Sequence, residues 1–182
     1  MSDRVTYQFE YAERLPAVFV GAGGHAYRNV YPSLAYAPVD LRAVCDIDGD
    51  RAQTYARMFG APRSYTDHRE MLERERPAVA FIVTAYHPDG RVQATDLAAD
   101  CLRAGVHVWM EKPTAASAAE VEELAALSER TGRYVLTGLK KISSRQRWRS
   151  CTRSSTLRSS AGRRRSAFAI RRTCRRPSAG RT

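Results

Sequence analysis

The 182-residue chain carries 30 Lys+Arg against 19 Asp+Glu, a formal net charge of +11, but the excess sits at one end. Residues 1–141 hold 17 basic and all 19 acidic residues, whereas residues 142–182 hold 13 arginines with no lysine and no acid. No run approaches the roughly 20 apolar residues of a membrane span, the opening MSDRVTYQFEYAERLP lacks the apolar segment of a secretory signal, and Cys45, Cys101, Cys151 and Cys174 form no CxxC and fit no zinc spacing.

These exclusions leave a single near-neutral domain over residues 1–141 with a basic appendage, expected in a reducing, cytoplasmic setting. AVFV (Ala17–Val20) reads as a short buried strand closed by GAGG. A helix is predicted from there to about Tyr36, shortened or bent by Pro32. LRAVCD (Leu41–Asp46) is a second strand, with Asp50 predicted to cap a helix that stops at Gly60. Asp67 and Glu70 form a capping box for a helix ending at Pro77. AVAFIVT (Ala78–Thr84) is apolar throughout, as expected of a strand covered on both faces. Leu97, Cys101 and Ala104 mark one stripe of the next helix, which ends at Gly105. VHVWM (Val106–Met110) is another buried strand. Ser117 and Glu120 cap a helix that stops at Gly132, and RYVLTGL closes the series. Strands and helices alternating with short connections predict an α/β fold, a doubly wound parallel sheet with helices on both faces.

Ligands of such sheets bind beyond the carboxyl ends of the strands, and four features fall there. Gly21-Ala22-Gly23-Gly24-His25-Ala26 fits G-x-G-x-x-G/A directly between a strand and a helix. Gly21 permits the turn, Gly23 lets the backbone approach a pyrophosphate, and Ala26 lets the helix pack close. Asp46, 20 residues beyond Ala26, is placed to accept the hydroxyls of an adenosine ribose and to repel a 2′-phosphate, favouring NAD over NADP. Thr84 opens the loop TAYHPDG, where a nicotinamide half would lie; its His87 could be an acid/base, but with no identifiable partner carboxylate it reads as a surface-loop histidine. Glu111-Lys112-Pro113 puts a lysine at a strand end facing the crevice, with Glu111 able to hold its charge and Pro113 stiffening the turn. Taken singly, these are a tight turn, a helix cap, a loop and a strand-end ion pair.

GAGGHA, then CDID, then AGVHVWMEKP with a capped helix and RYVLTGLKK, together resemble the amino-terminal half of the glucose–fructose oxidoreductase / inositol dehydrogenase (Gfo/Idh/MocA) family over about Ala17 to Ile142. The resemblance implies an NAD-binding domain contacted through Gly21, Ala22, Gly23, Gly24, His25, Asp46, Thr84, Glu111, Lys112 and Pro113. It implies that Lys112 lies near the nicotinamide and the reacting carbon of a small polyol or sugar, where it supports proton transfer. TAYHPDG departs from the family's T-P-x-x-x-H at that place. Nothing after Ile142 resembles the second, substrate-binding domain of such enzymes.

Residues 142–182 instead read as a disordered Arg/Ser-rich tail. A nucleic-acid arm is one reading, because arginines bind phosphate, but such arms mix lysine with arginine. Arginine and serine without lysine or acid is the composition of GC-rich DNA read out of frame. One permitted codon choice for Ile142–Ser150, with a single T inserted after the first codon, restores IFFPAAVEK, the way this family tends to continue. The expectation is therefore a frameshift product, with no specific nucleic-acid partner and no membrane. The alternatives are a non-enzymatic dinucleotide-binding module and an Arg-tailed nucleic-acid binder.

Overall fold

A computed structural model describes residues 7–87 and 89–139. The expectations for Cys151, Cys174 and the tail lie outside these residues. In chain order the elements are β1 (Leu15–Val20), a π-helical turn (Ala26–Val30) running into a 3-10 helix (Tyr31–Tyr36), β2 (Val39–Cys45) and α1 (Gly49–Phe59). They continue with β3 (Arg63–Tyr65), α2 (His68–Glu75), β4 (Val79–Ile82), α3 (Gln93–Arg103), β5 (His107–Met110), α4 (Ala118–Thr131) and β6 (Val135–Thr137). The strands form one sheet in the order β3-β2-β1-β4-β5-β6, and every pairing is parallel. The order reverses between β1 and β4, so the ends of these two strands frame a crevice.

Alternation along β1 shows how both faces are covered. Val18 and Val20 belong to a core with Met71 and Leu72 of α2, Leu97 and Cys101 of α3, and Leu124 of α4. Ala17 and Phe19 point the other way, into a core with Val30, Tyr31 and Leu34 and with Ala56 of α1. On that second face Tyr31 is sandwiched, its ring 3.9 Å from that of Phe19 and 4.3 Å from that of Phe59. Burial of this order removes each aromatic side chain from water at a gain of about 1.5–3 kcal/mol. Cys45 and Cys101 are both free and buried, and burial pushes each thiol up to about 12. No helix among the described residues is long and apolar enough to cross a membrane.

Several expectations change in detail. The helix after the glycine loop is wound as π and then 3-10. Pro32 has no N–H to return to the carbonyl of residue 28, and the ladder adjusts its winding around that gap. Asp48, not Asp50, caps α1: its backbone is extended and its carboxylate accepts the Arg51 N–H at 3.1 Å. Asp50 lies in the first turn, beyond the capping position. Asp67 caps α2 as expected, but Glu70 pairs with Arg74 at 2.9 Å instead of returning to the cap. β3 is an additional strand. Its sequence, RSY, has no apolar pattern, because it is an edge strand pairing only with Ala43–Cys45.

Arg63 and Tyr65 of β3 both donate hydrogen bonds to Glu75 at the end of α2, tying the edge strand to the helix. The hydrogen bond from Arg63, against the opposing effect of burial, holds the Glu75 carboxyl below its ordinary 4.5. A carboxylate depressed in the folded state contributes stability above its unfolded pKa and loses it as pH falls through the folded one. The free energy of urea unfolding is therefore expected to fall as pH drops below about 4.5, with a shallower slope in Glu75→Gln.

Candidate functional site

Gly21 follows β1 directly, and its N–H donates to the Cys45 carbonyl at 2.8 Å. Its φ is +107°, and a Cβ at this position would stand 1.9 Å from the Val83 carbonyl oxygen at the end of β4. The first glycine thus does two things: it turns the chain, and it lets the two strand ends close on one another. Gly23 and Gly24 differ, since no atom lies within 4 Å of where their Cβ atoms would be. Their free side faces open space at the mouth of the crevice. Ala26 is fully buried, in the core that holds Phe19 and Tyr31.

Asp46 lies one residue beyond β2. One of its oxygens, Oδ2, accepts the Ala22 N–H at 2.7 Å; the other, Oδ1, accepts the Asp48 N–H at 3.0 Å and Arg51 Nη2 at 3.0 Å. The carboxylate thus ties the glycine loop to the start of α1. Sequence reasoning passed over Arg51, whose only signal is its place in the first turn after CDIDGD.

Across the switch point, Thr84, Ala85, Tyr86, Glu111, Lys112 and Pro113 line a small cleft of about 10 Å³. Thr84 Oγ1 is buried there without a hydrogen-bond partner. A buried hydroxyl left unpaired is costly, and such atoms mark places where a ligand or water completes the set. Glu111 is a charged residue only 7% exposed. It accepts the Lys112 N–H at 3.1 Å, and its Oε2 lies 3.8 Å from Lys112 Nζ, as expected from their adjacency. The Lys112 side chain is 61% exposed and stands at the rim. The Lys112–Pro113 peptide is cis. Gly138 was not singled out from sequence, yet a Cβ there would lie 2.9 Å from Trp109 and 3.2 Å from Glu111 Oε1. The missing side chain is what makes room for the buried carboxylate.

His87 departs from expectation. Its Nε2 is buried without a hydrogen-bond partner and lies 3.7 Å from Asp96 Oδ2 in the first turn of α3, an ion-pair distance that would count only for a protonated ring. Among the described residues no cluster of His, Cys, Asp and Glu could hold a metal ion.

Residues 15–139 match the model of the oxidoreductase family with an NAD-binding Rossmann fold, GFO_IDH_MocA. The chain belongs to the Gfo/Idh/MocA oxidoreductase family. Within it, the chain is 30% identical over 128 residues to a trans-1,2-dihydrobenzene-1,2-diol dehydrogenase of Mus musculus, covering 70% of this chain and 37% of that protein. It is 34% identical over 115 residues to the Homo sapiens protein of the same name, covering 63% and 33%. Among solved structures, GenD2 from gentamicin A biosynthesis, in complex with NAD, superposes with a TM-score of 0.69 at 25% identity, over 86% of this chain and 42% of that one. Myo-inositol 2-dehydrogenase from Lactobacillus plantarum shares the fold with a TM-score of 0.64 at 22% identity, over 78% and 40%. The chain therefore spans about a third to two fifths of the length of these relatives. Residues 15–139 of this Gfo/Idh/MocA chain are an NAD-binding Rossmann domain. The open space over Gly23 and Gly24 and the unpaired Thr84 hydroxyl suit a dinucleotide laid across the switch point.

Proposed function

We propose that this domain binds NAD through the glycine loop, Asp46 and the Thr84 cleft, and presents Lys112 to a hydroxyl of a sugar- or polyol-like substrate. Gly23 and Gly24 would bring the backbone against the pyrophosphate, Asp46 would receive the adenosine ribose, and Thr84 would hydrogen-bond at the nicotinamide end. Bound NAD supplies a hydride acceptor. Lys112, steadied by Glu111, would orient the substrate hydroxyl and take part in removing its proton as the carbon is oxidised, a role worth about 10²–10⁴-fold when the group is well placed. The substrate class is supported by relatives named as dehydrogenases of a 1,2-diol and of D-apiose. The stretch shared with the matched relatives is 37% and 33% of their length, and the residues named here account for the cofactor side of the reaction only.

The observation that carries this reading is three things together at the carboxyl ends of β1, β4 and β5: a glycine loop open to solvent, an unpaired buried hydroxyl, and a lysine beside a buried carboxylate. Calorimetric titration with NAD tests the division of roles. Asp46→Ala is expected to weaken binding by about tenfold or more, since it removes a charged acceptor and frees the Ala22 N–H. Lys112→Ala is expected to change affinity by no more than about threefold, because its contribution belongs to the reacting end. Equal losses for the two variants would overturn the assignment.

A further inference from the structure

The two oxygens of Glu111 face different elements. Oε2 serves Lys112, through its N–H at 3.1 Å and its ammonium at 3.8 Å. Oε1 lies 3.5 Å from His25 Nε2, in the glycine loop. His25 is steadied from behind by Asn29, whose Nδ2 is 3.3 Å from the ring Nδ1 and 3.2 Å from the His25 carbonyl oxygen. With Asn29 donating to Nδ1, the ring hydrogen sits on Nε2, on the side of the carboxylate; at 3.5 Å the two are in ion-pair range and not in an aligned hydrogen bond. The loop after β1 and the turn after β5 share no backbone pairing, because β4 runs between the two strands. The side-chain contact is therefore the direct one between them, added to their separate backbone bonds to the end of β4, and a carboxylate only 7% exposed has need of such partners.

We propose that His25 and Glu111 form a latch across the crevice, acting as positioning residues that fix the glycine loop relative to Lys112. This rests on the crevice being the dinucleotide site. By holding the loop and the lysine in one arrangement before the ligand arrives, the latch lowers the ordering cost of binding. It also gives His25, at a variable position of the glycine motif, a task other than phosphate contact. The same carboxylate keeps the exposed Lys112 ammonium at the rim.

Hydrogen exchange of the amides of residues 23–27 in the ligand-free protein, with NADH titrations of the same samples, tests the latch. The variants are Glu111→Gln, His25→Ala, the double variant, and His25→Gln, which keeps a donor. Each single change is expected to speed exchange at the loop by about tenfold while leaving β1 amides unchanged, and to raise the NADH Kd several-fold. The double variant is expected to go no further than either single one, and His25→Gln to restore most of the loss. Unchanged loop exchange, or effects that simply add, would overturn the latch. If loop exchange responds but even the unaltered chain binds no NADH, the latch stands and the cofactor reading fails. Should Glu111→Gln melt the domain, His25→Ala still decides through loop exchange, since that side chain is 45% exposed and packs against no core.

Discussion

Gly21→Ala is expected to destabilise the domain by upwards of about 3 kcal/mol, the largest effect of any single-methyl substitution in the glycine loop. Two costs combine. The backbone stands at φ +107°, a region that costs a non-glycine residue about 1–3 kcal/mol. The added methyl would also stand 1.9 Å from the Val83 carbonyl oxygen. That oxygen cannot step aside cheaply, because the Val83 N–H is bonded to Val20 at 2.9 Å and holds β4 in register with β1. Relief of the clash means prising apart the central pair of strands. Urea unfolding followed by circular dichroism gives the measurement, with Gly24→Ala as the control. Nothing lies within 4 Å of a Cβ at Gly24, so that change should fall within about 0.5 kcal/mol of the unaltered chain. A Gly21→Ala protein less than about 1 kcal/mol weaker would show that the close approach is not real.

Gly23→Val is expected to do the reverse, leaving the fold nearly intact and lowering NAD affinity by about a hundredfold. A Cβ here meets nothing within 4 Å and the φ is not positive, so the protein itself is expected to accommodate valine at no more than the modest cost of a β-branched residue at the start of a helical turn. The space filled is the one a pyrophosphate needs in order to reach the loop amides. Losing even one or two hydrogen bonds to a charged group accounts for about two orders of magnitude. Calorimetry against NAD, with thermal unfolding run in parallel, separates the two effects. Valine tolerated with undiminished binding would place the dinucleotide elsewhere.

The contrast between these glycines marks how far local pattern carries the fold and the site. Spacing alone picked out Gly21, Gly23 and Asp46 and put them at strand ends, because a parallel sheet with short connections leaves few other arrangements. It assigned Gly21 to turn geometry only; the contact with Val83 joins residues 62 apart, and local pattern carries no trace of it. The helical caps at Asp67 and Ser117 were legible because capping is a three-residue affair, whereas Asp48 and Asp50 compete within DIDGD and only the backbone conformation of Asp48 separates them. β3 was missed since an edge strand of three residues needs no apolar alternation. Glu111 was seen as a partner for Lys112, its neighbour in sequence. Its second partner, His25, and the vacancy at Gly138 that admits it, come from three separate strand ends meeting in space.

The close seating of Trp109 on Gly138 has an optical consequence. The indole is held against the backbone of β6's carboxyl end, with its ring also 5.9 Å from that of Phe81, two residues before the carboxylate that steadies the crevice. Indole emission overlaps the absorption of reduced nicotinamide, so a fluorophore anchored there is a resident energy donor for any dihydronicotinamide that occupies the cleft. The packing that clears room for Glu111 thereby equips the domain with its own spectroscopic ruler, one that reports occupancy without a label and without turnover.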